Sequence, residues 1–336
     1  MALRCRKFFP VKLITHNLRR PFRRSHRDTA EAAVADAEYA SQTAGVPADE
    51  DTELQLVQPL ELNSGDVVIH GDHPVRAGTF ADIWEGSVDG FAVVIKSYRR
   101  YSTTDSAHVR MRHRNEALAC CQLSHPNIVP FRGVYATPKY ALALVYDSMG
   151  RRCLREYTRE TETVMGVRLL VDIARGLLHM HDMGIVHGNL ATENVLVDCD
   201  GAARIAGLGS AFVPKNHGIW SERDADLRSY GTAPELLRPD PPQSRPQPTK
   251  ESDIYAFALL AWELFAGHVP FPNIPQAAAT YLLASGERPP RPDHPELCDE
   301  IWDLIERCWG GDPSCRPPID NVLAILQEQL SKPLCV

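Results

Sequence analysis

VHGNLATENVLV, residues 186–197, reads as a loop running into a buried strand. His187 opens the loop, Asn189 and Asn194 lie within it, and the closing VLV is the short apolar run that a buried strand presents. Upstream, VMGVRLLVDIARGLLHMHDMG puts Val167, Leu170, Val171, Ala174, Leu177 and Leu178 at helical spacing, with Gly184 suited to ending the helix. Downstream, NVLVDCDGAARIAGLG reads as two short strands around a turn at Asp200 and Gly201. A loop set between a helix and a hairpin, carrying one histidine and two amides, is a place where polar side chains are held for a purpose.

Composition sets the bounds. The chain has 336 residues, enough for one large domain or two small ones. It is 44% hydrophobic and 24% charged, so it can bury a core. A formal charge of −7 gives no reason to expect nucleic acid as a partner of the folded part. No apolar run is long enough to span a membrane. The nine cysteines show no paired CxxC spacing, which argues against a zinc site and a secreted disulfide framework and fits a reducing, intracellular compartment, with the cytoplasm expected.

The charge is segregated. Met1 to Arg27 holds nine Lys and Arg and no acid, and from Asp28 to Glu61 the sign reverses. Residues 1–64 are therefore expected to be a disordered extension, basic and then acidic. Arg19, Arg20, Arg23 and Arg24 leave nuclear import, anionic lipid or a mitochondrial presequence open as addresses.

Past Gly65 the pattern becomes dense. HPVRAGTFADIWEGSVDGFAVVIKSY reads as strand, turn, strand, turn, strand, with Asp89 and Gly90 at a tight hairpin. HVRMRHRNEALACCQLS is an amphipathic helix, and HPNIVPFRGVY and YALALVYDSM read as further strands. After Gly150 the chain turns helical. ESDIYAFALLAWELFAG is apolar on nearly every face and is expected as a buried central helix. PELCDEIWDLIERCWGGDP and IDNVLAILQEQL are two more helices, and residues 238–250 form a Pro-rich loop. The expected class is α+β and bilobal: a small β-rich lobe with one helix, about 65–148, and a larger helical lobe, about 150–332.

This arrangement resembles the protein kinase fold over roughly residues 65 to 330. FAVVIK is similar to the family's third strand, with Lys96 as the phosphate-binding lysine and Glu116 as its partner on the following helix. HGN stands where H-R-D is expected, Asn194 matches the loop asparagine, and Gly207 to Gly209 stand where D-F-G is expected. Ala233 to Glu235 match A-P-E. The resemblance implies that Asp253 tethers the loop with His187, and that Arg316 pairs with Glu235. SDIYAFALLAWEL and CWGGDPSCRP most resemble the tyrosine-kinase-like group. HG for HR, with AGTFADIWEG upstream, is similar to kinase-like proteins of mushroom-forming fungi. By the same resemblance Gly78, Ile83, Val94, Lys96, Glu116, Asp147 and Leu196 would line a nucleotide cleft.

Phosphoryl transfer needs positioning and charge neutralisation. Lys96 and Glu116 can supply part of that, although alone each reads as a surface lysine and a solvated helical glutamate. The glycine loop is damaged: its three positions are Arg76, Gly78 and Ala81, and Arg76 is expected to crowd the adenine roof. Val94 replaces a small alanine and is expected to narrow the slot. Asn189 stands where an acceptor-only carboxylate is needed, and its NH₂ offers donors instead. Ala191 replaces the loop lysine. Gly207 replaces the metal aspartate, which leaves Asn194 as a weak ligand for a cation that relies on carboxylates. Glu193 is expected to point away, and Asp198 and Asp200 to belong to the hairpin.

Three losses at chemically required points, beside retained architectural residues, favour a kinase fold without phosphotransfer. ATP stays possible and Mg²⁺ is not expected. Such a domain acts as a scaffold or allosteric partner of other proteins, an active kinase among them. The alternative is a Ser/Thr kinase of low activity that positions ATP with Lys96 and Asn194.

Overall fold

A computed structural model describes residues 61–62, 65–77, 81–98, 115–135, 143–149, 152–161, 165–212, 229–237 and 246–332. Most of the expected disordered extension, Gly78 and most of the Pro-rich loop lie outside the described residues; Glu61 and Leu62, read as part of that extension, are instead bonded to the sheet at Val134. The chain divides into two units, Met1–Leu56 and Val57–Val336, and the second is described here.

Six strands form one antiparallel sheet: β1 (Val67–His70), β2 (Arg76–Ala77), β3 (Ala81–Val88), β4 (Phe91–Tyr98), β5 (Phe131–Tyr135) and β6 (Ala143–Asp147). Their order is β1-β3-β4-β6-β5, with β2 beside β3. Asp89 and Gly90 join β3 to β4 with positive φ at both residues, 52° and 81°, as a two-residue turn matched to strand twist requires. That turn fixes the register, so Ile83 faces Lys96 across the pair and Val94 faces Tyr146 of β6. Alternation then sorts the side chains. Trp84, Val93, Ile95 and Val145 make one apolar cluster, while Tyr98 and Leu144 pack with Ala117 on the other face. Ala117 belongs to helix α1, residues 115–122.

The larger lobe contains α2 (Leu154–Glu160), α3 (Gly166–Asp182), a two-stranded ribbon β7 (Val195–Val197) and β8 (Ala203–Ile205), α4 (Pro234–Leu237), α5 (Lys250–Ala266), α6 (Gln276–Ala284), α7 (Asp299–Cys308) and α8 (Ile319–Ser331). Helix α5 is buried from Ser252 to Phe265, as its unbroken apolar sequence requires. Thr249 caps its start by accepting from Ser252 N, and Gly267 ends it at φ 72°. The loop after α1 is sewn to this lobe. Asn127 Nδ2 donates to Ala203 O at 3.0 Å, Ile205 N donates to Asn127 O at 2.8 Å, and Val129 N donates to Ile205 O at 2.9 Å. Gly176 of α3 permits this approach: a Cβ there would lie 2.7 Å from Asn127 O.

Three elements depart from the sequence reading. VVIH forms β1, and the expected strand around HPVR shrinks to Arg76–Ala77. QAAATYLLA forms α6, buried at Ala279, Thr280 and Leu283. Lys250, read as the end of a loop, is the first residue of α5.

Candidate functional site

Lys96 and Glu116 meet. Lys96 Nζ donates to both carboxylate oxygens of Glu116 at 2.8 Å. Strand β4 points Lys96 to the face that α1 covers, and α1 brings Glu116 over it. Two tyrosines complete the arrangement: Tyr98 OH donates to Glu116, and Tyr146 OH donates to it at 2.8 Å while also contacting Cys120 Sγ at 3.6 Å. Glu116 therefore holds its buried charge with four donated hydrogen bonds from three side chains, which answers the desolvation cost. Burial pushes its carboxyl up, but the Lys96 charge and these bonds outweigh it and hold the carboxyl below its usual range. Burial likewise pulls Lys96 down, and Glu116 and Tyr98 together carry it above the ordinary lysine value.

The 186–197 loop is fixed by α5. Asp253 accepts from His187 N at 2.8 Å and from Gly188 N at 2.9 Å, and lies 3.0 Å from His181 Nε2. His187, fully buried, lies 3.0 Å by Nε2 from Ala206 O, and burial holds its imidazole below the usual range. Asn189 N bonds His187 Nδ1 at 3.2 Å, and Asn189 O accepts from Asn194 Nδ2 at 2.8 Å. Asn194 thus braces the loop through its nitrogen, and its oxygen is turned to Gly207. Ala191 offers a methyl group at the lysine position, before the short turn Thr192–Asn194. Glu193 is drawn off to Arg155 of α2, and Asp198 accepts from Asp200 N, Ala202 N and Arg204.

Gly207 is more than a missing side chain. It adopts the left-handed conformation, φ 74° and ψ 38°. A Cβ built on it would meet Asn194 Oδ1 in hard contact and lie 2.6 Å from Asn194 Cγ. The space through which a metal-binding side chain would project is filled by Asn194. The donor set here is the single amide oxygen of Asn194, with no carboxylate supplied by Asn189 or Gly207, and it does not suit Mg²⁺.

Around the cleft, Ile83, Val94 and Lys96 share one face of the sheet, and Ile83, Val94 and Leu196 are partly exposed. Leu196 bridges to Cys153 at the start of α2. Arg76, expected over the adenine roof, instead reaches α2: its Nη2 donates to Glu156 Oε1 at 2.5 Å, joining the two lobes. The Asp147 carboxylate takes Arg132, and Asp147 N donates to Pro130 O at 3.0 Å. Arg316 clasps Glu235 with both terminal nitrogens, at 2.7 and 2.9 Å, and stacks on Tyr255.

Residues 69–326 match the family described as protein tyrosine and serine/threonine kinase. The chain belongs to that family. It is 29% identical over 262 residues to the serine/threonine/tyrosine-protein kinase HT1 of Arabidopsis thaliana, covering 75% of this chain and 64% of that one. It is 31% identical over 224 residues to the receptor-interacting serine/threonine-protein kinase 1 of Homo sapiens, covering 62% of this chain and 33% of the other. Serine/threonine-protein kinase STY17 of Arabidopsis thaliana is 26% identical over 261 residues, covering 76% of this chain and 43% of its own. The chain thus spans between a third and just under two thirds of the length of these relatives.

Three contributors escaped the sequence reading. Tyr98 follows Lys96 by two residues and so shares its face, a signal visible in the strand pattern. Tyr146 becomes visible only once β6 is registered on β4. Arg155, which holds Glu263 of α5 at 2.5 and 3.0 Å as well as Glu193, carries no local signal at all.

Proposed function

We infer that this is a protein kinase-like domain without phosphotransfer, working as a scaffold or allosteric partner of other proteins. The observation that carries the reading is Gly207: left-handed, without a ligand atom, and with its side-chain space taken by Asn194. Asn189 and Ala191 support it, because neither can take a proton or hold a phosphate. The retained polar bonds bear on architecture: Asp253 to the loop, Arg316 to Glu235, and Glu116 to its three donors. Nucleotide, if it enters, binds weakly and without regard to Mg²⁺.

A second reading rests on the Lys96–Glu116 geometry, which keeps the lysine aligned and would serve a Ser/Thr kinase of low activity with Asn194 as its metal ligand. Transfer of labelled phosphate, measured for the parent and for Lys96→Met, separates the two. The first reading expects no transfer above background in either. Turnover by the parent that Lys96→Met abolishes would establish the second. A thermal shift with ATP, with and without magnesium, gives an independent check: the first reading expects the two curves to coincide.

A further inference from the structure

We propose that the groove beside the 123–130 loop docks an extended peptide segment of a partner protein, with two or three apolar residues flanked by aspartate or glutamate. The proposal rests on the reading that the domain acts by binding proteins, and it names the surface and the chemistry of the partner.

The groove has a volume of about 600 Å³ and shares no lining residue with the cleft around Lys96. Its floor is apolar: Leu123, Ile128, Val129 and Phe131. Its rim carries His125, Arg132 and Arg204, and among the described residues its lining contains no carboxylate. Each arginine is tied to an aspartate through Nε alone, Arg132 to Asp147 and Arg204 to Asp198. Their terminal nitrogens make no hydrogen bond among the described residues. Arg175, outside the lining, lies one helical turn before His179, whose ring stacks on His125 at 5.1 Å, and adds a third guanidinium nearby, with Asp172 3.8 Å away.

The same asymmetry recurs in all three pairs. The side-chain exposures of arginine and aspartate are 48% and 22% for Arg132–Asp147, 23% and 7% for Arg204–Asp198, and 47% and 12% for Arg175–Asp172. The aspartates face inward, where Asp198 and Asp172 also accept backbone N–H groups from the ribbon. An incoming chain therefore meets guanidinium edges over an apolar floor. Fork-shaped donors of this kind suit carboxylates, and the floor suits branched aliphatic side chains.

The extended form follows from the sheet. β5 is an edge strand, and its residues Phe131, Arg132 and Gly133 line the groove. An extended segment already lies parallel on this edge at Val134, where Glu61 forms a bridge and Leu62 N donates to Val134 O at 2.9 Å. The groove continues that edge, so main-chain pairing and side-chain pockets are available together.

The test uses the full chain and a fluorescein-labelled Glu-Asp-Leu-Val-Leu-Asp-Glu peptide. Polarisation is expected to show saturable binding that weakens with added salt. Arg132→Gln and Arg175→Gln, both at exposed positions, remove the charge without setting a carboxylate against Asp147 or Asp172 and should each weaken it at least about threefold, with melting measured alongside to show that the fold is kept. Cys121, half-buried and lining the groove, gives a footprint that needs no substitution. The peptide should slow its alkylation, read by mass spectrometry, and leave the exposed Cys315 untouched. Absence of saturable binding would overturn the proposal, as would binding indifferent to both arginine substitutions, or equal binding of a Lys-Lys-Leu-Val-Leu-Lys-Lys peptide. Cys121 protection that rises with protein concentration alone would assign the groove to a second copy. Cys121 protected in the free chain as fully as buried Cys120 would assign it to the chain itself; either result removes the partner peptide. Phosphate-transfer assays do not depend on this surface, so failure here and failure of the scaffold reading are separable.

Discussion

Replacing Lys96 by methionine isolates what the buried carboxylate of Glu116 requires. Among the described residues Lys96 supplies its only formal positive partner and two of its donors, at 2.8 Å each. Removing one member of a buried ion pair typically costs about 3–5 kcal/mol, because the other charge stays behind. Two features lower the figure here. The lysine side chain is 19% exposed, so part of its charge is already hydrated. Tyr98 and Tyr146 still donate to Glu116 after the change. A loss of about 2–4 kcal/mol at pH 8 is therefore expected, or about 4–16 °C in melting temperature at the roughly 2–4 °C per kcal/mol usual for a domain of this size.

The pH dependence carries the sharper expectation. In the parent, the Glu116 carboxyl sits below its ordinary value, so its contribution is present above that value and is lost as pH falls through the native one. Without Lys96, burial becomes the dominant influence and raises the carboxyl above its unfolded value. The sign then reverses: stability is present at low pH and is lost as pH rises. The deficit of Lys96→Met relative to the parent should shrink between pH 8 and pH 5, and Lys96→Met/Glu116→Leu should recover part of it at pH 8. Thermal denaturation across that range measures both. A deficit that is the same at pH 5 and pH 8 would refute the view that an uncompensated buried charge is responsible.

Gly207→Asp must place a Cβ against Asn194 in a left-handed backbone, which alone costs about 1–2 kcal/mol; it should lower the melting temperature and give no magnesium-dependent gain in nucleotide affinity by titration calorimetry. Adding Asn194→Ala should recover only part of the loss, because it frees that space but leaves the left-handed cost and removes the bond to Asn189 O, and full stability of Gly207→Asp by itself would contradict the packing. Asp253→Asn leaves one acceptor oxygen where the carboxylate serves two backbone N–H groups, so a loss of about 1–3 kcal/mol is expected in urea denaturation. Arg316→Lys breaks the two-pronged grip on Glu235 and the stacking on Tyr255 and should destabilise by about 1–3 kcal/mol, with Arg316→Met no better; a neutral Lys variant would show that charge alone suffices there.

The parts of the molecule that announced themselves were those whose physics is local. Asp89-Gly90 fixed a hairpin, the all-apolar run through Leu259 and Leu260 could only be a buried helix, and ordered landmarks placed Lys96, Asp253 and Arg316. β1 was missed because VVIH is four residues long and gains its partner only from Ser87 and its neighbours on β3. α6 was missed because QAAATYLLA has a narrow apolar face and no capping side chain at Pro275. In the site, identities were legible and environments were not. Gly207 could be read as a lost ligand, but its backbone conformation and its contact with Asn194 depend on chain segments folded together. Arg76 looked like an obstruction and is a tie to Glu156, because the direction of a long exposed side chain is set by what lies within reach.

The loop around Asn127 sits in the smaller lobe by sequence, yet three of its hydrogen bonds run to Ala203 and Ile205, and the absent side chain of Gly176 lets it lie flat on α3. Mechanically it would serve as a bearing fixed to the larger lobe, about which any tilt of β5 and the rest of the sheet would turn. Whatever grips Phe131 and Arg204 at once would bridge such a plate and its mount. Such a ligand would act as a brake on the tilt, slowing amide exchange along β5 and β6 while leaving α7 and α8 at their own pace.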